Sequence, residues 1–164
     1  MKRLLPIAAI AVLAAGCNTS GCLENRNAIP LAALYSSATG QAITVSGIQI
    51  SGVDVPNDSI LVGPSELASE IYLPMRSEHN SVQWCFHYTQ EGLDDDAFND
   101  TITFRYTSLP YFASAECGAS YRYTITEHST TTHLIDSLVV LDPLITNVDM
   151  VRIRIYLRTA EPEQ

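Results

Sequence analysis

The chain has 164 residues, with nine basic against eighteen acidic side chains and a formal charge of −9. An acidic chain repels nucleic acid and anionic lipid surfaces, since both are held mainly by lysine and arginine. No nucleic-acid partner is therefore expected.

Residues 1–16 read as a secretory signal. Lys2 and Arg3 give a basic start, Leu4 to Ala15 form an apolar run broken only by Pro6, and small residues lead into Ala14-Ala15-Gly16-Cys17. The run is too short for the roughly 20 residues that a spanning helix needs. A cysteine directly after the small residues makes this a bacterial lipoprotein signal, with Cys17 as the lipidated first residue of the mature chain. Two or three acyl chains hold a protein firmly at a membrane, where one does so only marginally. Cleavage removes Lys2 and Arg3 and leaves seven arginines, no lysine and eighteen acids, a charge of −11. The anchor is then the lipid alone, and the segment Asn18-Thr19-Ser20-Gly21 behind it is neutral.

From there the sequence alternates with period two, and no long helical pattern appears. Leu31–Ser36 is a first strand, and Ile43–Ile50 a second with an irregularity at Ser46-Gly47. Ile60–Val62 and Ile71–Leu73 are short apolar runs bounded by turn residues, and Pro64–Ala68 reads as one helical turn. Val82–Tyr88 is an aromatic strand with Val82, Trp84, Phe86 and Tyr88 on one face and Gln83, Cys85 and His87 on the other. Thr101–Thr107, Tyr121–Thr126, Leu138–Leu141 and Val151–Leu157 follow. Eight or nine strands at this spacing predict one antiparallel β-sandwich of immunoglobulin-like type. The expected organisation is signal peptide 1–16, lipidated tether 17–27, sandwich 28–159 and C-terminal tail 160–164. With Cys17 lipidated, Cys22, Cys85 and Cys117 remain. Three thiols in an oxidising compartment allow one disulfide in three pairings.

Several stretches resemble one family. They are Gly21-Cys22-Leu23-Glu24-Asn25, Leu73-Pro74, Asp100–Tyr106, Pro110–Gly118 with its Glu116-Cys117-Gly118, His133–Ser137 and Ile153–Leu157. The chain resembles a group of small uncharacterised lipoproteins of Bacteroidota, classed as domain of unknown function 6452. The resemblance implies a compact β-sandwich with a disulfide between Cys22 and Cys117, and brings no activity, catalytic residue or cofactor. It also gives weight to Asp58-Ser59-Ile60, Asp100-Thr101-Ile102 and Asp136-Ser137-Leu138. Exported proteins of such cells are often O-glycosylated at this kind of tripeptide, making Ser59, Thr101 and Ser137 candidate acceptors. Asp-Ser is also ordinary turn chemistry before a strand. Surface export in such lipoproteins looks associated with acids close behind the lipidated cysteine. Their absence here points to the periplasmic side of an outer membrane.

Other chemistry is weaker. There is no Gly-x-Ser-x-Gly elbow and no phosphate loop. Cys85 and His87 share a strand face, two residues apart and poorly set for a catalytic pair. Glu91, Asp94, Asp95, Asp96 and Asp100 cluster in the loop from Gln90 to Asp100, without calcium-loop spacing, and a solvated acidic hairpin tip is the favoured reading. His79, His87, His128 and His133 lack zinc spacing. Arg152, Arg154 and Arg158 would line one face of the last strand, where guanidinium forks can take a carboxylate or phosphate. With eighteen acids to seven arginines, pairing with neighbouring acids is the favoured reading. Tyr111 and Phe112, after Leu109-Pro110, would suit a sugar platform if exposed at a loop, and core or sheet packing is the favoured reading. The expectation is a non-enzymatic, lipid-anchored envelope protein with a binding or structural role, an unknown protein or glycan partner and no cofactor. The alternatives are a surface carbohydrate- or protein-binding module and a small metal- or thiol-dependent enzyme.

Overall fold

In the computed structural model the described residues are 28–55, 59–114 and 118–159. They form strands β1 Leu31–Ser36, β2 Ile48–Gly52, β3 Ile60–Val62, β4 Glu70–Tyr72 and β5 Ser81–Tyr88, then β6 Asp100–Ser114, β7 Gly118–Thr130, β8 Ile135–Val140, β9 Leu144–Ile145 and β10 Val151–Leu157. One sheet has the order β4-β1-β10-β8 and the other β3-β2-β5-β6-β7-β9. Together they make an all-β sandwich. Every pairing is antiparallel except β1 with β10, which run parallel in the middle of the smaller sheet.

Alternation builds the core. Val82, Trp84, Phe86 and Tyr88 of β5 point inward, as do Ile102, Phe104 and Tyr106 of β6. From the smaller sheet come Ala32, Leu34, Ile71, Ile135, Ile153 and Ile155. Each large side chain so buried contributes about 1.5–3 kcal/mol by leaving water. Trp84 meets Phe104 edge-on at 5.6 Å, and Tyr106 meets Tyr123 at 5.4 Å, the geometry that aromatic quadrupoles favour.

The structure corrects several details of the sequence reading. Pro64–Ala68 forms a hydrogen-bonded turn, Glu66 N–H to Gly63 O, with Ala68 bridged to Val45, in place of a helical turn. The second strand begins only at Ile48. Gly47 ends the irregular approach to it with φ 69°, and a Cβ there would lie 2.8 Å from Gln90 Cγ. The acidic loop holds a short 3-10 helix, Asp96–Phe98. A tenth strand, β9, has two residues. The largest difference is the β6–β7 hairpin, which runs well past the seven residues Thr101–Thr107. Tyr111 and Phe112 lie in strand β6, in agreement with the sheet packing favoured for them. Pro110 is tolerated there because β5 pairs with β6 only as far as Arg105, so no second ladder needs its missing N–H.

Candidate functional site

The candidates fall in three places, and the first is the outer face of β10. Arg152 is nearly buried and its Nη1 pairs with Asp142, just beyond β8. Among the described residues its Nε has no hydrogen-bond partner. Arg158 Nη1 donates to the carbonyls of Thr132 and His133 at 2.6 Å each, and Nη2 lies 3.3 Å from Asp136. Arg154 lies over the Tyr35 ring at 5.0 Å. Pairing with neighbouring acids, the favoured reading of these arginines, therefore describes Arg152 and Arg158, and an open row of guanidinium forks does not. β8 and the residues flanking it supply acids and carbonyls within reach, and Arg152 and Arg158 are engaged with them. What the face does present is Tyr35 and Tyr156, paired across β1 and β10 with ring centroids 5.4 Å apart, and Arg154 beside them.

The second place is the junction of the acidic loop with β6. Asp94 Oδ1 lies 3.1 Å from His87 Nε2. Asp95 caps the 3-10 helix by accepting the Ala97 N–H at 2.8 Å. Asp96 accepts from Asn99 Nδ2 at 3.0 Å. These carboxylates act locally, and among the described residues no group of three acids, histidines or cysteines converges on a metal position. His87 Nδ1 meets Asn99 Oδ1 at 2.8 Å, so the ring is held by the loop. Cys85 is a free thiol. Burial first, then the charges of Asp96 and Asp100, push its pKa up, away from the thiolate a nucleophile needs.

Asp100, in sequence one acid of a solvated loop, has a structural role that the sequence reading missed. It is fully buried at the start of β6 and accepts five hydrogen bonds. Oδ1 takes the Thr131 hydroxyl and the His133 N–H, both at 2.8 Å. Oδ2 takes the Tyr88 hydroxyl at 2.8 Å and the Leu134 and Ile135 N–H groups at 2.7 Å. Burial alone would raise its pKa. The bonds from Ile135, His133, Thr131 and Tyr88 outweigh burial and hold the carboxyl below its ordinary 3.8. Burial and the adjacent Asp100 charge drive Tyr88 the other way, far above the ordinary phenol value. The carboxylate ties β6 of one sheet to the residues that lead into β8 of the other. A buried acid before an alternating strand was visible as Asp100-Thr101-Ile102. Its donors lie more than ten residues away in sequence, so nothing local revealed the role.

The remaining candidates scatter. Ser59 is exposed just before β3, Ser137 is exposed on edge strand β8, and Thr101 is half-buried in the middle of a sheet. Cys17, Cys22 and Cys117 lie outside the described residues. The third place is a groove of about 740 Å³ between the start of β1, the turn after β4 and the beginning of β7.

The fold and these sites define a two-sheet β-sandwich whose buried polar centre ties its sheets together. The chain belongs to a family of unknown function, DUF6452, whose model matches residues 42–157. No curated protein and no solved structure matches it. Among the described residues no helix is long and apolar enough to cross a membrane.

Proposed function

We propose that the protein is a non-enzymatic lipoprotein of a Bacteroidota-type outer membrane, facing the periplasm, with a structural or binding role in the envelope. The observation that carries this reading is Ala14-Ala15-Gly16-Cys17 behind a basic, apolar leader. The run 17–27 gives the acyl chains a tether, and the charge of the mature chain leaves attachment to the lipid. The engaged His87 and the raised thiol pKa of Cys85 support a role other than thiol chemistry. The test is Cys17→Ala, expected to abolish palmitate labelling and release the protein from the membrane fraction. Unchanged membrane association would defeat the proposal. Digestion by protease on intact cells would overturn the periplasmic side.

A second reading, a carbohydrate-binding module, is favoured by one observation. Tyr35, Tyr156 and Arg154 form a half-buried aromatic and cationic face on the smaller sheet. Sugar rings stack on such surfaces through their C–H faces, and a guanidinium takes their carboxylates. Binding of acidic polysaccharide that is lost in Tyr35→Ala and Arg154→Ala would support this reading. Binding unchanged by both substitutions would remove it.

A further inference from the structure

Six exposed apolar side chains gather at one end of the fold. Leu31 pairs with Val151 and with Tyr72, so the start of β1, the start of β10 and the end of β4 share a level. The Tyr106 hydroxyl bonds the backbone of Arg76, just beyond β4, and this sets the far half of the β6–β7 hairpin at that same end. Asp100 and Ile135, bonded to each other, mark the opposite end, where Leu157 closes β10. On the hairpin Leu109 is 65% exposed, Phe112 70% and Tyr121 39%. Tyr72, Val148 and Met150 are exposed where β4 ends and β10 begins. Both sides of the hairpin contribute, with Leu109 and Tyr111 on one and Phe112 and Tyr121 on the other.

We propose that the far half of the β6–β7 hairpin rests in the headgroup layer of a lipid bilayer, with Leu109, Phe112 and Tyr121 as its contacts. This rests on the envelope reading, which puts a bilayer within reach, and adds which end of the domain meets the lipid. Ala28 lines the same groove as Ser120 and Tyr121, so the chain enters the domain at the hairpin's end. Eleven residues lead from Cys17 to Ala28 and span at most about 40 Å however they run. The acids Glu91, Asp94, Asp95 and Asp96 belong to the other end, in the loop that leads into Asp100. From Asp100 to Phe112 is about 40 Å at strand rise, roughly five Debye lengths in physiological salt. Their repulsion from an anionic lipid surface is screened at that distance. Arg122 lies over the Tyr111 ring at 4.2 Å, and tyrosine and arginine both settle with their polar ends at headgroup level. Among the described residues no strand lies beside the outer edge of β6 beyond Tyr106. Open backbone groups are not tolerated in hydrocarbon, which holds the contact at headgroup depth. Pro110 on that edge works against the rival occupant, a strand added by a protein partner. A second copy is opposed by the repulsion between two strongly acidic domains.

The experiment uses the full mature chain on vesicles of phosphatidylethanolamine and phosphatidylglycerol. The chain is held by its own acyl groups or, independently of them, by an N-terminal histidine tag on a nickel-chelating lipid. A photoreactive benzoylphenylalanine replaces Phe112 or, as the contrast, the exposed Phe98 of the acidic loop. Illumination is expected to give about tenfold more phospholipid adduct at residue 112 than at residue 98. Leu109→Glu with Tyr121→Glu is expected to cut the adduct at residue 112 about tenfold while the protein stays on the vesicles. A domain merely hanging from its tether would not show that loss. Equal yields at the two positions, a yield at residue 112 indifferent to the glutamates, or crosslinks joining isotopically light and heavy copies would overturn the proposal. The tagged chain reads the hairpin even where Cys17 carries no lipid, so failure of the anchor and failure of this contact are told apart.

Discussion

Replacing Asp100 with asparagine keeps the shape of the side chain and removes its charge and one acceptor. Five donors converge on two oxygens, and an amide offers one oxygen and two further donors. The less damaging orientation sets the NH₂ at the Oδ1 position. There the Thr131 hydroxyl can rotate to accept, and the His133 N–H is left facing another donor. An orphaned buried donor costs about 1–3 kcal/mol, and the three bonds kept at Oδ2 each lose about 1 kcal/mol as they cease to be charge-assisted. Relief from burying a charge offsets part of this. The expected loss is about 3–5 kcal/mol, read from urea denaturation of the mature domain at pH 7. The same residue sets an acid limb. Its pKa is lowered by folding, so its contribution is fully present above the unfolded value near 3.9. It is lost as the pH falls below that value through the folded one. The wild-type urea midpoint should therefore drop below about pH 4, and the Asp100→Asn midpoint should fall less steeply over that interval. A loss under about 1 kcal/mol, or parallel acid profiles, would refute the assignment.

Tyr88→Phe removes one of the five donors and leaves the carboxylate with four, so about 1–2 kcal/mol should be lost in the same assay. Phe104→Ala opens a cavity between Trp84 and the smaller sheet and should cost about 3–5 kcal/mol; a loss under 1 kcal/mol would mean that the core collapses around the gap. Arg158→Ala removes a half-exposed ion pair with Asp136 and its two carbonyl bonds, and about 1 kcal/mol or less is expected by thermal unfolding. Non-reducing peptide mapping is expected to link Cys22 to Cys117 and leave Cys85 alkylatable, and a peptide containing bridged Cys85 would contradict that pairing.

Strand β5 was legible to within one residue because its alternation of aromatic with polar side chains is unbroken from Val82 to Tyr88. β10 was legible by the same period of two, and β1 as a short, mostly apolar run. The two-residue β9 was not, since a pair of apolar residues after Asp142-Pro143 has no period to detect. The far half of the β6–β7 hairpin was hidden by Pro110, which reads as a breaker unless one knows that β5 stops short of it. The arginine face was half legible. Alternation placed Arg152 and Arg154 opposite the apolar side chains of β10, but the acids that occupy Arg152 and Arg158 become neighbours only through the pairing of β8 with β10. Asp100 shows the general limit. A buried charge is recognised by what surrounds it, and its donors come from β5, from the residues between β7 and β8, and from the first residue of β8.

The parallel pairing of β1 with β10 has a consequence for how the chain comes to be folded. Leu31 is joined to Val151 and Ser36 to Leu157, so the smaller sheet cannot close until almost the whole polypeptide is present. Pairing across so long a loop is slow. A chain that emerges N-terminus first must hold Leu31-Ala32-Ala33-Leu34, almost wholly apolar and with strand edges open, while the other strands are still being delivered. Until then β1 is a ready template for the wrong partner. Loss of a few residues from the end of β10 would release β1 and β8 together. Shortening the chain at its C-terminus should therefore yield aggregation and proteolysis rather than a slightly smaller domain.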